Sequence, residues 1–200
     1  SIEEHAFYNC PEVISIVVDK NNTDYDSRNG CNAIIYTSDS KLILGCSTTI
    51  IPQDIEIIGE FAFKNSRNLQ RIVVPEGVSC IEDGAFEHCS SLKEVVLPTT
   101  LESFIGGSNF GYCTSLESIT IPKGVYNMGS DIFCGCISLQ KITVDSANAT
   151  FDSRNNCNAV IDTKQNKLVA GCKGTVIVDG IKSICSRAFY KSGITSVHIP

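Results

Sequence analysis

The chain has 200 residues, of which 42% are hydrophobic, and a formal net charge of −6. This acidic balance argues against a nucleic-acid partner, because no stripe of Lys and Arg is available to neutralise phosphates. It argues equally against a polybasic contact with a membrane surface. No apolar run approaches the ~20 residues that a spanning helix needs, so we expect no membrane insertion of this segment.

One pattern of apolar residues recurs along the chain and predicts its architecture. Pro52, Pro75, Pro98 and Pro122 open similar stretches at intervals of 23, 23 and 24 residues. A period of this length is typical of a solenoid, in which each turn buries its apolar face against its neighbours. In the turn that opens at Pro75, the apolar slots are Val78, Ile81, Ala85, Phe86, Cys89, Leu92, Val95 and Leu97. We expect these slots to point inward in every turn.

Each turn is predicted to contain one strand and one short helical segment. The last three slots of a turn follow a period of two, which is typical of a short strand with alternate residues inward. The Ala-Phe-x-x-Cys part steps by three and four residues, which favours a helical or 3₁₀ turn on the opposite side. The predicted fold class is therefore a repeat solenoid of α+β type. It follows the leucine-rich-repeat plan, with the short strands of successive turns stacked in one parallel sheet.

The first two elements in chain order are a partial turn and an enlarged turn. Residues 1–18 fit the second half of a turn, with Cys10 in the Cys slot. Residues 19–51 contain two apolar runs, 31–36 and 41–46, on either side of a polar cluster. We predict that these runs form a β-hairpin within the enlarged turn.

The remaining elements are regular turns and a second enlarged turn. Residues 52–144 are predicted to form four regular turns, the third with one extra residue that the glycines at 106–107 absorb as a local bulge. Residues 145–177 repeat the enlarged turn and its hairpin, at a constant offset of 126 residues. Residues 178–199 make a last regular turn, so we interpret the whole chain, residues 1–200, as a single domain.

The recurring motif is specific enough to compare with a known family. It is Ile-Pro-x-x-Val-x-x-Ile-x-x-x-Ala-Phe-x-x-Cys-x-x-Leu-x-x-Ile-x-Ile, and it covers essentially the whole chain. This motif resembles the BspA-like leucine-rich repeats of bacterial surface proteins. Members of that family are typically exported, and some act as adhesins for host proteins. The resemblance implies an extracellular or cell-surface location and a host or matrix protein as partner. No signal peptide is visible at Ser1, so we expect the export signal to lie outside this segment.

The eleven cysteines are expected to be mainly structural. Cys10, Cys89, Cys113 and Cys136 each follow a slot Phe by three residues. A slot that recurs at the solenoid period points inward, where free Cys packs as a small apolar residue. The neighbouring pair Cys134 and Cys136 has no second ligand pair, so we predict no zinc site.

The cysteines of the enlarged turns raise a separate hypothesis. If Tyr36 faces Lys41 across the first hairpin, Cys31 lies opposite Cys46, at the ~4.5–5.5 Å that a disulfide can span. The same register would bring together a second pair, Cys157 and Cys172. A disulfide in each enlarged turn and a pair of reduced, buried thiols remain open alternatives.

We predict no catalytic site, metal or cofactor. The histidines, His5, His88 and His198, have no ligand set nearby in the sequence, and we expect His88 to be solvated on a helical position. No nucleophile lies at a strained or Gly-flanked turn, so the chain is not expected to be an enzyme. Residues 26–29 and their copy 152–155 could form a calcium loop, but turn residues that bond their own backbone explain this motif better.

Solenoids bind partners on their extended sheet face. The candidate contacts are the outward strand residues of the regular turns: Arg71, Val73, Glu94, Val96, Ser118, Thr120, Lys141 and Thr143. This stripe has none of the Tyr and Trp platforms that bind sugars, and of the residues typical of protein hot spots it has only Arg71. The predicted function is a non-enzymatic, adhesin-like protein-binding module at a bacterial surface, of undefined oligomeric state. A surface glycan receptor that uses Arg71 or Lys141, and a structural spacer that displays another domain, remain open alternatives.

Overall fold

The computed structural model describes residues 2, 6–7 and 10–200, which form a solenoid of stacked coils. Its strands are β1 (Tyr25–Asp26), β2 (Ala33–Tyr36), β3 (Lys41–Gly45), β4 (Ile57–Ile58), β5 (Arg71–Val73), β6 (Cys80–Ile81), β7 (Glu94–Val96), β8 (Ser103–Gly107), β9 (Ser118–Ile121), β10 (Asn127–Ser130), β11 (Lys141–Val144), β12 (Phe151–Asp152), β13 (Ala159–Asp162), β14 (Lys167–Gly171) and β15 (Ser183–Ile184). Two 3₁₀ segments, Arg28–Gly30 and Arg154–Asn156, lie in the enlarged turns. His5 lies outside the described residues.

Each of the four regular coils of residues 52–144 contributes strands to two different sheets, where the sequence predicted one. β4, β6, β8 and β10 pair in parallel from coil to coil and join the first hairpin in a seven-stranded sheet, ordered β1-β2-β3-β4-β6-β8-β10. The strands predicted from the period-two slots are β5, β7, β9 and β11, which we call the strand face. They form two separate parallel pairs, β5–β7 and β9–β11, so the prediction of one continuous sheet was wrong.

The Ala-Phe-x-x-Cys segments form hydrogen-bonded turns in place of the expected helices. In one coil, the N–H groups of Phe61, Phe63 and Asn65 donate to carbonyls of the next coil over 2.7–2.9 Å. The N–H groups between them donate to the carbonyl three residues back, over 3.0–3.2 Å. An α-helix needs every N–H for bonds within one segment, so this coil-to-coil bonding excludes it. The α+β description is therefore not confirmed: the described residues are strands and turns, apart from the two short 3₁₀ segments.

A ladder of phenylalanines occupies the centre of the stack. Phe63, Phe86, Phe110 and Phe133 stack in order, with ring centroids 5.1, 5.3 and 6.0 Å apart. None is more than 4% exposed. Burial of each ring stabilises the fold by about 1.5–3 kcal/mol. The inward direction predicted for the Phe slot is confirmed in these four coils.

The predicted inward slots fail at the two ends of the stack. Cys10 was expected to be buried but is exposed. In the last coil, Ile194 is 36% exposed, Val197 60% and Ile199 67%. A slot is buried by the coil on either side of it, and no described coil packs against these outer sides. The expectation holds for the interior coils, where Cys89, Cys113 and Cys136 are buried.

Both predicted hairpins are present, and each contains a bulge. In the first, Tyr36 pairs with Lys41 as expected, but the register shifts by one residue between Ile34 and Ile35. Side chains alternate between the two faces of a strand, so a one-residue shift changes which residues share a face. The second hairpin has the same shift, between Val160 and Ile161.

The shift removes the basis of the disulfide hypothesis. Cys31 packs in the main core, whereas Cys46 packs in a separate cluster with Ile16 and Ile34. In the second enlarged turn the corresponding cysteines also fall in different clusters, Cys157 in one and Cys172 in the other. All four are free thiols in the structure. The opposed pairing expected from the sequence was wrong, because the bulge turns the two thiols of each pair to opposite faces.

The extra residue of the third regular coil is absorbed where the sequence predicted. β8 ends in Gly106, with φ +76°, and Gly107, and the pairing of β10 with β8 shifts at this point. Asn109 fills the slot that holds Ala in the two preceding coils and is fully buried. Its amide donates to the carbonyls of Ile81, Glu82 and Ile105 over 2.7–3.2 Å, so this buried side-chain donor is satisfied at the bulge.

Candidate binding surface on the strand face

The predicted contact residues all lie on the strand face, in two groups. Seven of the eight are exposed, and Thr143 is half-buried. The paired positions are Arg71 with Glu94, Val73 with Val96, Ser118 with Lys141, and Thr120 with Thr143. The structure therefore brings together residues of neighbouring coils within each pair of strands, and the two pairs face each other across a gap.

The gap between β7 and β9 is a cleft with a volume of about 350 Å³. No backbone hydrogen bond joins these two strands in the part of the chain that the structure describes. The break falls next to the coil that carries the extra residue. The residues that line the cleft include Glu94, Val96, Ser118, Thr120 and Asp145. With Lys93 and Thr99 also in the lining, the cleft presents strand edges, three hydroxyl groups and charged side chains of both signs beside an aliphatic side chain.

Arg71 is the one side chain of hot-spot type predicted on this face, and it is already paired. Its Nε donates to Glu94 Oε2 over 2.9 Å, and both side chains are 56% exposed. An ion pair with this exposure contributes at most about 1 kcal/mol, so it can open at small cost when a partner binds.

Exposed aliphatic residues recur in one slot of four successive coils. Val73 is 43% exposed and Val96 is 39% exposed. The same slot holds Val17, 82% exposed, and Ile50, 78% exposed, in the two preceding coils. We name Val17, Ile50, Val73 and Val96 the aliphatic stripe. Ile50 was not among the outward positions predicted from the sequence, although it precedes a turn-opening proline by two residues, as Val73 does.

The Asp-Ser-Arg-Asn motifs have the turn role that the sequence favoured. Arg28 donates from its backbone N–H to Asp26 Oδ1 over 3.0 Å, and its guanidinium holds the pKa of that carboxyl below its usual range. Ser27 Oγ accepts from Val18 N–H over 2.9 Å and ties the motif to the preceding coil. The copy repeats this bond with Ser153, so both motifs anchor a hairpin.

Within residues 2, 6–7 and 10–200, no group of three or more His, Cys, Asp or Glu side chains is placed to hold a metal ion. The same ranges contain no helix that is long and apolar enough to cross a bilayer. His88 does not occupy a helical position: its backbone has φ +62°, and its ring stacks on Tyr112.

Stacked coils with inward Leu, Ile, Phe and Cys slots and a parallel strand face define a leucine-rich-repeat solenoid. The family profile of the BspA type leucine rich repeat region matches residues 43–160 in six copies. The chain belongs to this BspA-type leucine-rich-repeat family, which confirms the resemblance carried by the motif.

Three solved structures are similar in fold. A leucine rich cell surface protein from Faecalibacterium prausnitzii has a TM-score of 0.60 and 23% identity, over 97% of this chain and 48% of that one. The pneumococcal vaccine antigen PcpA has a TM-score of 0.58 and 22% identity, over 66% of this chain and 33% of that one. A leucine rich repeat protein from T. pallidum has a TM-score of 0.52 and 20% identity, over 92% and 72%.

These likenesses show the fold alone, because all three identities lie below 25%. The chain spans about half of the Faecalibacterium protein and a third of PcpA. No curated protein matches the chain.

Proposed function

We propose that the chain is a non-enzymatic, adhesin-like protein-binding module exported to a bacterial cell surface. The observation that carries this proposal is the aliphatic stripe, a row of exposed β-branched side chains in one slot of successive coils. Val73 and Val96 are direct neighbours across the pair β5–β7. Adjoining exposed apolar side chains can mark a surface that another molecule covers. A strand face of a solenoid is also where extended binding surfaces of repeat proteins lie.

The cleft beside the stripe suggests how a partner protein is held. The facing edges of β7 and β9 are not bonded to each other in the described structure. Strand edges offer N–H and C=O groups that pair with an extended segment of another chain, while side-chain pockets supply specificity. We expect a host or matrix protein to place apolar side chains on Val73 and Val96 and polar groups on Ser118 and Thr120.

Membership of the family and the nature of the similar structures support a surface location. The Faecalibacterium protein is described as a cell surface protein, and PcpA as a vaccine antigen. A module displayed outside the cell meets host and matrix proteins directly, which agrees with a binding role for an exposed aliphatic stripe.

The proposal is tested by surface plasmon resonance against immobilised collagen, laminin and fibronectin. We expect the full chain to bind at least one of them, and the double variant Val73→Glu, Val96→Glu to bind about tenfold or more weakly, since truncating or charging a central apolar anchor costs 1.4 kcal/mol or more. Ile105→Glu is the matched control, because Ile105 is an exposed strand residue on the other sheet. Thermal unfolding checks that the variants are folded.

Binding of none of the three proteins, or an equal loss in the double variant and in the control, would count against the strand face as a protein-binding site.

A further inference from the structure

The turn side of the solenoid carries aromatic and cationic side chains that the proposed function does not use. They come from three coils, and we name them the turn-face patch: His88, Tyr112, Arg187, Tyr190 and Lys191. The ring of His88 stacks on that of Tyr112, with centroids 4.5 Å apart and planes at 7°. Lys191 Nζ lies 5.1 Å from the Tyr112 centroid and 5.3 Å from that of Tyr190. The Arg187 guanidinium lies 5.5 Å from the Tyr190 centroid.

The backbone at these positions does not favour large side chains. His88, Tyr112, Arg187 and Lys191 have φ values of +62°, +58°, +57° and +51°. In another coil, the slot of His88 and Tyr112 holds Gly135, which adopts positive φ freely. Large residues with positive φ are uncommon, and this backbone conformation costs a small amount of folding free energy. Packing or binding must offset that free energy.

Packing alone explains the pair of residues that corresponds to Arg187 and Tyr190 at the offset of 126 residues. Phe61 and Lys64 lie 126 residues before Arg187 and Tyr190, so the cation and the aromatic ring have exchanged places. Lys64 Nζ is 4.3 Å from the Phe61 centroid, and its side chain is 13% exposed and ion-paired with Glu87. The Arg187 side chain is 63% exposed. The first pair is covered by residues of the next coil, whereas the second pair lies in the last described coil and is exposed.

The two cations of the patch keep donors for a ligand. Arg187 Nη1 donates to Asp131 Oδ2 over 2.9 Å, and Lys191 Nζ donates to Tyr112 Oη over 3.0 Å. Arg187 therefore retains most of its five N–H groups, and Lys191 retains at least one of three. The bond to Tyr112 also raises the pKa of Lys191, so this group stays cationic at neutral pH.

We propose that the turn-face patch binds an acidic oligosaccharide. One sugar ring stacks on Tyr190, which is 44% exposed, because aromatic faces bind the C–H faces of sugars and leave the hydroxyls in water. The carboxylate or sulfate of the same ligand accepts charge-assisted hydrogen bonds from Lys191 and Arg187. A few side chains suit one charged sugar unit, whereas a stable protein interface covers about 800 Å² on each partner and a nucleic acid needs a longer track of cations.

Isothermal titration calorimetry of the full chain tests this site with trigalacturonate and sialyllactose as acidic probes. Maltotriose and lactose are the neutral probes of similar size. We expect an acidic probe to bind and the neutral ones to bind at least about tenfold more weakly, as expected for loss of a charged hydrogen-bond partner. Lys191→Gln and Tyr190→Ala should each lower the affinity for the acidic probe by about tenfold or more.

Matched controls separate this site from the rest of the surface. Lys164→Gln and Tyr126→Ala change an exposed lysine and an exposed tyrosine outside the patch and should leave binding unchanged. The strand-face variant Val73→Glu, Val96→Glu should also retain saccharide binding, so failure of either proposal is distinguishable from failure of the other. No binding of either acidic probe, equal binding of the neutral probes, or binding that survives Lys191→Gln overturns the proposal. A matrix protein whose binding is lost in Lys191→Gln, without saccharide binding, would show a protein site in its place.

Discussion

Cys113 donates its thiol hydrogen to the carbonyl oxygen of Phe86 in the preceding coil, with 3.2 Å between sulfur and oxygen. The bond recurs in the neighbouring coils, from Cys89 to Phe63 at 3.1 Å and from Cys136 to Phe110 at 3.0 Å. The thiols therefore tie successive coils together from inside the core. A purely apolar residue could fill the same space, but only Cys also donates this weak hydrogen bond. The bond therefore explains why the slot holds Cys.

The first prediction concerns this thiol ladder. Cys113→Ala should lower the free energy of unfolding by about 1–3 kcal/mol, since it removes a buried hydrogen bond and leaves a small cavity. Cys113→Ser should cost less, because a hydroxyl can donate to the same carbonyl and the first regular coil already holds Ser66 in this slot. Urea denaturation followed by circular dichroism measures both. Cys185→Ser, at a half-exposed position, is the control, and a serine variant no more stable than the alanine variant would refute a role for the bond.

The second prediction is loss of stability in alkaline solution. Burial raises the pKa of Cys136 to about 12 from an ordinary value of 9.0, and raises those of Cys89 and Cys113 as well. Above pH 9 the unfolded chain loses these protons while the folded chain keeps them, so the free energy of unfolding falls by about 1.4 kcal/mol per pH unit for each thiol. The stability that depends on these protonated thiols is fully present below pH 9 and declines as the pH rises towards 12.

Urea titrations between pH 8 and pH 11 measure this slope, and Cys136→Ser isolates the thiol from other groups that titrate there. The variant should show a shallower decline, by about 1.4 kcal/mol per pH unit. Parallel curves for the variant and the wild type would contradict the prediction.

The sequence predicted the stacking of coils well because that stacking depends on burial alone. Phe86 and Leu92 recur at the repeat period and are both fully buried. The helical segments were predicted wrongly because the spacing of Ala85 and Phe86 is compatible with a helix or with a turn. The partners of the backbone N–H groups decide between the two. The N–H of Phe86 donates to the carbonyl of Asn109 in the next coil over 2.8 Å. The spacing of residues within one turn does not say which coil accepts that bond.

The candidate binding surfaces also include features that the sequence predicted and features that it did not. Val73 and Val96 were found from strand alternation, since outward direction follows from the inward slots beside them. The cleft between β7 and β9 was not found, because it depends on whether neighbouring coils keep their bonds. The contact of Lys191 with Tyr112 spans 79 residues. It joins the same slot of two coils that do not follow each other in the sequence, so the chain order of the repeats does not reveal it.

The third prediction tests the close approach of β8 and β10. A Cβ added at Gly129 would lie 1.6 Å from the carbonyl oxygen of Gly106, so Gly129→Ala must separate the two strands. We expect the variant to lose about 3 kcal/mol or more of stability, as for other severe steric changes in a core. Thermal and urea unfolding measure the loss. Gly30→Asn is the control, because its space is open and the second copy has Asn156 with φ +54° at the equivalent position; similar stability of both variants would contradict the strand contact.

The fourth prediction concerns the oxidation state of the enlarged turns. Cys31 and Cys46 lie in different clusters, as do Cys157 and Cys172, so neither pair should form a disulfide even in an oxidising environment. Titration of thiols in denaturant without reductant should therefore find all eleven cysteines free, with the same count after reduction. In the native protein, exposed Cys10 should react first and the buried ladder thiols last, because the thiolate is the reactive form and burial disfavours it. A count that rises by four on reduction would show that the hairpins are cross-linked and that their bulged register is wrong.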